Sequence, residues 1–348
     1  MTDAATPSSF LVIRRDNIGD LVCTTPLISA LRSRYPNAWI GALVNRYAEP
    51  VLAGNPDLDA VFSYQKAKHR AAGETVFGLY AQRLRMLLGL RRRAIDTVIL
   101  ASPGYQASAE RLARWVKPRH IIGFDNGSGL ADKTVPAHTE GMLHQVENNF
   151  RLLQVLGIEG PPPALKLVPD HKLVEAYRKQ LPVGGGPVVG VHISAREADR
   201  RWPDACFVEL IAALTGQENA AVVLTWAPGS RDNPRFPGDD DSAYDIVARC
   251  TGDRLLALPT SGLAQLIASL AICDTVICSD GGPVHLAAAL GKPVVSLFGS
   301  ERPELWHPWG VPYRLLQPAS QRVSDVMMRE VLAAWRELTS EKNSTITI

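Results

Sequence analysis

Little in this sequence would build a metalloprotein, a secreted disulfide scaffold or a membrane span. Cysteine is sparse, at five residues in 348: Cys23, Cys206, Cys250, Cys273 and Cys278. They are scattered among apolar neighbours with no C-x-x-C pair, which favours buried reduced thiols over zinc ligation or disulfides. No apolar run reaches the roughly 18 residues a membrane helix needs. The amino terminus shows no basic region followed by an apolar core, so no secretory signal is expected and the reading is of a cytoplasmic protein. A G-x-G-x-x-G fingerprint is missing after the first strand-like run, which counts against a nicotinamide-dependent oxidoreductase. A basic-aromatic module is missing too, and with it the case for nucleic-acid binding. No short-period internal repeat is present.

What is present is ordinary globular composition, with 46% hydrophobic and 21% charged residues. Such a chain can bury two sizeable cores. Only Met1–Ser9 and Ser340–Ile348, polar and unpatterned, look loose. The net charge of +2 is unevenly spread. Residues 1–158 hold 19 Lys and Arg against 13 Asp and Glu, and the remainder holds 18 against 22. The basic first half suits an anionic partner, although solvated helix faces explain the same count.

Strand-like runs alternate with helix-like segments throughout, the pattern of α/β architecture with parallel sheets. Strands are expected at Phe10–Arg14, Trp39–Val44, Ala60–Tyr64, Thr97–Ala101 and His120–Phe124. A helix is expected over Pro26–Tyr35, with Thr25 as N-cap, Pro26 at the first helical position and Pro36 as the stop. Pro161-Pro162-Pro163 and the run Pro182 to Pro187 break regular structure and bracket a connecting helix, His171–Gln180. The rhythm then restarts. Strands are expected at Val188–Ile193, Ala221–Thr225, Thr275–Cys278 and Pro293–Phe298, and helices at Asp204–Leu214, Ser261–Ala271, Pro283–Leu290 and Val323–Leu338. The division is therefore a first Rossmann-like domain at 1–165, a linker at 166–187 and a second at 188–348, facing a central cleft. The last helix is free to pack back on the first domain. In such folds ligands bind beyond the carboxyl ends of the strands.

Four segments carry candidate chemistry. The first strand runs into Arg14-Arg-Asp-Asn-Ile-Gly-Asp20, where Gly19 permits a tight turn and Asp20 is either a proton acceptor or a helix cap. In Val276-Ile-Cys-Ser-Asp-Gly-Gly-Pro-Val-His285, a strand meets Asp280, Gly281 and Gly282 before an alanine-rich helix. Backbone N–H groups at such a helix start suit a phosphate or diphosphate, and His285 in the first turn can donate to the same anion; an ordinary strand-to-helix connection with a packed histidine is the other reading. The loop after the strand at Val188 carries Ser194, Arg196, Arg200 and Arg201, and arginines at a helix start recognise phosphate oxygens, although surface loops hold arginines too. The loop Trp226 to Pro234, continuing to Asp239-Asp-Asp241, is long enough to line a site. Its aspartates lack a matching ligand cluster, which favours a capped, solvated loop over a metal.

In order and spacing these segments resemble glycosyltransferase family 9, the heptosyltransferases of lipopolysaccharide core assembly. The residues that carry the resemblance are Gly19-Asp20 with Thr24-Thr25-Pro26, Asn55-Pro56, Arg200-Arg201-Trp202-Pro203, Asp280-Gly281-Gly282-Pro283-Val284-His285, Gly291-Lys292-Pro293 and Phe298-Gly299. The resemblance implies a GT-B fold and inverting, metal-independent transfer of a heptose or related sugar from an ADP-sugar to a lipopolysaccharide core or similar glycan. It implies no cofactor beyond that co-substrate. It makes Asp20 the general base and sets Arg200, where many members have lysine, on the donor phosphate side. Ser194 and Arg196 join Asp280–His285 around the diphosphate and sugar. Where the family often has a nucleoside-binding glutamate, this chain has Ser230-Arg231-Asp232, so Trp226 and Asp232 are the nucleoside candidates. A non-catalytic sugar-nucleotide or glycan-binding protein is the remaining alternative to an enzyme.

Arg83, Arg85, Arg91, Arg92 and Arg93 surround Met86-Leu87-Leu88. Of these, Arg83, Arg85, Arg91 and Arg92 are candidates to hold an anionic glycolipid or glycan acceptor, and the segment suits peripheral contact with the cytoplasmic face of the inner membrane.

Overall fold

The computed structural model describes residues 7–64, 76–102, 104, 106–137, 143–233 and 237–344. Most of the expected loose ends, and Pro234 in the candidate nucleoside loop, lie outside them. The chain divides into two compact units, Met1–Val168 and Pro169–Ile348.

The first unit holds β1 (Ser9–Ile13), α1 (Ile18–Val22), α2 (Thr25–Arg34), β2 (Trp39–Asn45), β3 (Ala60–Tyr64), α3 (Val76–Arg92), β4 (Thr97–Leu100), α4 (Ala107–Val116), β5 (His120–Asp125), β6 (Lys133–Pro136) and α5 (Gln145–Phe150). Its sheet has the order β3-β2-β1-β4-β5-β6, and every pairing is parallel. A parallel central strand is covered on both faces and needs an unbroken apolar run. β1, Ser-Phe-Leu-Val-Ile, is buried at every position.

The second unit holds α6 (His171–Arg178), β7 (Val188–His192), α7 (Asp204–Gly216), β8 (Ala221–Trp226), α8 (Asp240–Arg249), β9 (Leu255–Pro259), α9 (Leu263–Ala271), β10 (Thr275–Ser279), α10 (Gly282–Ala289), β11 (Val294–Leu297), α11 (Pro303–Trp306), β12 (Tyr313–Leu316) and α12 (Met328–Ser344). Its sheet order, β12-β11-β10-β7-β8-β9, is the first unit's order repeated, again parallel throughout. In each sheet the order reverses beside the first strand of the unit, between β1 and β4 and between β7 and β10. That reversal opens a crevice at the carboxyl ends of the strands, where open α/β sheets bind ligands.

Several local expectations change. Thr24, not Thr25, is the N-cap of α2, because α1 runs almost directly into it. Thr25 is already helical, and its hydroxyl donates back to the Val22 carbonyl (2.8 Å). Gly19 supplies no tight turn: it is buried inside α1, and it is not among the positive-φ glycines. The last helix starts at Met328, not Val323, because Val326 is extended and its carbonyl accepts the Trp202 indole N–H (2.8 Å). α12 then packs on α7, β11 and β12 of its own unit. Among the described residues no helix is long and apolar enough to cross a membrane.

Candidate active site

At the first reversal point the chain leaves β1 through Arg14, Arg15 and Asp16 and enters α1. Asp20 sits in the first turn of that helix, and its Oδ2 accepts the Asn17 backbone N–H (3.2 Å). Its Oδ1 meets the buried Arg14 guanidinium. Arg14 also pairs with Asp16 (3.0 Å) and donates to the Ala101 carbonyl beyond β4 and to Asn149 Oδ1 on α5 (3.1 Å). Asn149 in turn donates to the Cys23 carbonyl (3.3 Å). Asp16 is held from the far side by Ser102 (3.1 Å) and Gln106. Asp20 thus caps a short helix, as one of its two readings expects, and its carboxylate is also held by a buried cation. A buried guanidinium with several acceptors is a rigid positioner.

At the second reversal point Arg200 joins the loops after β7, β10 and β11. Its guanidinium pairs with Asp280 (3.0 Å) and Glu301 (2.6 Å), and its Nε, buried, has no partner. Burial pushes the Asp280 carboxyl up to about 6; Arg200 opposes the rise, while Glu301 and Asp199 add to it. Gly281 is the N-cap of α10 at φ +149°, backbone that glycine adopts and other residues resist. His285, buried on α10, packs edge-on against Trp306 (5.6 Å). Burial, reinforced by His307, lowers it to about 4, so at neutral pH it is an uncharged imidazole with a single N–H to donate. Trp202 anchors the arginine loop, buried edge-on against Phe207 (4.9 Å). The structure therefore sets Arg200 against Asp280, next to Gly281 and Gly282 at the start of α10, whereas His285 is buried within that helix against Trp306.

The remaining candidates are placed differently. Ser194 accepts the Ala227 backbone N–H (2.9 Å), tying the β7 and β8 loops together, and Arg196 is exposed. Trp226 is buried, and its indole N–H donates to Asp240 (2.7 Å), whose other oxygen accepts Gly229 N–H (2.8 Å). Asp232 is exposed on the loop beyond. Asp239 caps α8 near Arg231 (3.9 Å). No cluster of three potential metal ligands forms among the described residues. Arg83 lies over the Tyr64 ring (5.6 Å), whereas Arg85, Arg91 and Arg92 are exposed on α3. Cys23, Cys273 and Cys278 are buried, and burial raises each thiol, so they stay protonated and inert.

Sequence reasoning missed Arg14, Asp16 and Asn149, and on the other side Glu301 and Asp199. Asp199 accepts from Ser300 (2.6 Å) and sets the loop after β11. Arg14 lies just past the carboxyl end of β1, beside a reversal point, and that was the signal available for it; Glu301 follows β11, one strand away from the second reversal, and had no such mark.

The family model for glycosyltransferase family 9 (heptosyltransferase) matches residues 83–335. The chain belongs to that family. It is therefore a glycosyltransferase, which sets aside the oxidoreductase and binding-protein alternatives. It is 29% identical over 306 residues to lipopolysaccharide heptosyltransferase 3 of Escherichia coli K12, an alignment covering 84% of this chain and 82% of that one. Its fold matches the family 9 glycosyltransferase of Veillonella parvula with a TM-score of 0.81 at 17% identity, covering 96% and 97% of the two chains. It also matches the Escherichia coli heptosyltransferase WaaC with ADP-2-deoxy-2-fluoro heptose (TM-score 0.72, 18% identity, 94% and 99% covered). The fold is the GT-B arrangement of these heptosyltransferases, with two Rossmann-like units.

Proposed function

We propose that this enzyme transfers a heptose from ADP-heptose to a lipopolysaccharide core or related acidic glycan, with inversion and without a metal. The observation that carries the reading is the pair of built crevices. One locks a carboxylate against a buried arginine, and the other sets an arginine and a glycine-opened helix start beside a buried aspartate. The relatives' names, and the ADP-heptose analogue on WaaC, support the donor and acceptor.

In this mechanism an acceptor hydroxyl attacks the anomeric carbon opposite the diphosphate. The new C–O bond forms as the bond to the diphosphate breaks, and the electron pair leaves with ADP. Asp20 takes the hydroxyl proton, and Arg14 holds that carboxylate in place. The sugar passes through an oxocarbenium-like state. The charge growing on ADP is met by Arg200 and by the N–H groups at the start of α10, fixed donors that need no reorganisation during the step. Asp232 and the edge of the Trp226 loop receive the nucleoside, and Ser194 and Arg196 line the phosphate side. α3 lays Phe77, 83% exposed, with Leu84, Leu88 and its arginines against anionic lipid at the cytoplasmic membrane face, which brings the acceptor within reach.

Thermal shift in EDTA with ADP, UDP, GDP, CDP and NAD tests the donor. A ligand at about 100 times its dissociation constant adds about 2.7 kcal/mol to the folded state. Stabilisation by ADP alone, without metal, is expected. Preference for another nucleotide, or a requirement for a divalent cation, would refute the ADP-sugar, metal-free reading.

A further inference from the structure

In the second unit, two adjacent residues of one loop pair with two adjacent residues of another. The turn Ala198–Arg200, in the loop after β7, offers Asp199 to Ser300. The Ser300 hydroxyl (2.6 Å) and backbone N–H (3.2 Å) both donate to Asp199 Oδ2. Arg200, the next residue along, pairs through Nη2 with Glu301 (2.6 Å), the residue after Ser300. Ser300 and Glu301 belong to the loop after β11. The sheet order sets β10 between β7 and β11, so this double clasp passes across the carboxyl end of β10. Asp280 lies there, and it takes Nη1 of the same guanidinium (3.0 Å).

The clasp is built to hold its shape. Gly299 packs so closely on Asp199 that a Cβ added there would sit 3.0 Å from its backbone and carboxylate oxygens. Gln317, just past β12, donates to the carbonyls of Gly299 (2.7 Å) and Glu301 (2.9 Å). The bonds from Ser300 hold the Asp199 carboxyl below the usual carboxylate range, so the clasp persists at neutral pH. A single carboxylate leaves a guanidinium free to swing about one contact, whereas two on separate nitrogens fix its plane. The fork so held keeps one uncommitted donor, the buried Nε. Glu301 is 41% exposed, so the core does not require it, and it sets a negative charge beside a crevice meant for an anion. Such a charge opposes the binding of a diphosphate. What Glu301 contributes therefore lies in the aim of Arg200 and not in ground-state affinity.

We infer that Glu301 is a positioning residue of the transfer reaction, holding the Arg200 fork so that its remaining donor meets the leaving diphosphate as charge builds there. The inference rests on the proposed function, in which Arg200 serves the donor. The charge on the diphosphate is greatest as the bond to the sugar breaks, so a misaimed guanidinium costs the chemical step more than it costs binding. Loss of Glu301 lowers kcat and spares KM, and ADP affinity stays level or rises once the negative charge is gone.

Steady-state kinetics of the full chain with ADP-heptose and a lipopolysaccharide core acceptor, beside calorimetric titration with ADP, tests this. Glu301→Ala should lower kcat at least about tenfold while KM for the donor and the ADP dissociation constant stay within about twofold or fall. Glu301→Gln still offers an oxygen to Nη2 and should recover part of the loss. In an Arg200→Lys background, where no planar fork remains to be aimed, adding Glu301→Ala should cost less than about twofold more. Unchanged kcat in Glu301→Ala, or a raised KM with kcat intact, would overturn the positioning role, since the second is the mark of a loop that merely needs a prop. A full repeat of the loss in the Arg200→Lys background would overturn it too, by showing that Glu301 acts elsewhere. Arg200→Gln separates the two readings. If it leaves ADP binding and turnover at wild-type levels, the donor crevice itself is refuted and the positioning role goes with it. If it damages both and Glu301→Ala does not, the crevice stands and Glu301 alone is removed.

Discussion

Asp280 is the group whose environment makes the sharpest quantitative demand. In an unfolded chain it ionises near 3.8, and in the folded protein near about 6. Between those values the folded state holds the extra proton. Stability contributed by this residue is therefore present in acid, is lost as pH rises from about 4 to 6, and stays lost above. At about 1.36 kcal/mol per pH unit, the interval is worth about 3 kcal/mol. The pairing with Arg200 is already inside that figure, so the buried carboxylate remains a net cost at neutral pH despite its partner. Asp280→Asn keeps the shape and removes the ionisation, while Arg200 retains Glu301. The variant should match wild type at pH 4 and exceed it by up to about 3 kcal/mol at pH 8, which for a unit of this size is roughly 6–12 °C in Tm. Scanning calorimetry of both proteins at constant ionic strength from pH 4 to 8 reads this directly, since the other titrating groups cancel in the difference. An offset that is the same at every pH, or that grows toward acid, would refute the account. A residue kept at such a cost fits a site selected for donor binding rather than for stability.

Asp20→Asn should lower kcat by about 10²–10⁴-fold, the range of a lost general base, while ADP affinity stays within about twofold. Turnover near wild type would remove the base assignment. Replacing Arg85, Arg91 and Arg92 together by Gln should weaken binding to vesicles rich in anionic lipid roughly a hundredfold, at about 1 kcal/mol per arginine. Wild-type binding should fall with added salt, measured by co-sedimentation, and binding indifferent to salt would count against membrane docking through α3.

Most strands legible in the sequence were well buried, although the edge strand β3, with one buried residue in five, was read as well. β1, β4, β8, β10 and β11 are buried at every position and read as unbroken apolar runs. The unread strands β6, β9 and β12 stand on sheet edges and are only partly buried. Lys133-Thr-Val-Pro136 has one buried residue in four and no period long enough to distinguish from a loop. α3 escaped for a related reason: its leucines point both inward, as Leu87 and Leu90, and outward, as Leu84 and Leu88, which blurs the helical stripe.

The site divides along the same physical line. Asp20, Arg200, Asp280 and Gly281 follow strands and precede helices, so local order alone puts them at the crevices. Their partners come from far along the chain. Asn149 is 135 residues from Arg14, and Glu301 is 101 residues from Arg200. Nothing local marks an asparagine on α5 as the brace of a carboxylate near the amino terminus, because that relation exists only once two distant strands lie side by side. Arg15 is the instructive case. Beside Arg14 in the sequence it looks like a duplicate charge, but the structure gives the two opposite conditions. Arg14 meets two carboxylates, a carbonyl and an amide oxygen. Arg15 meets an aromatic ring, a second arginine and no acceptor. Identical residues one position apart thus take different places, the first organising the protein's own carboxylates and the second packed over an aromatic ring.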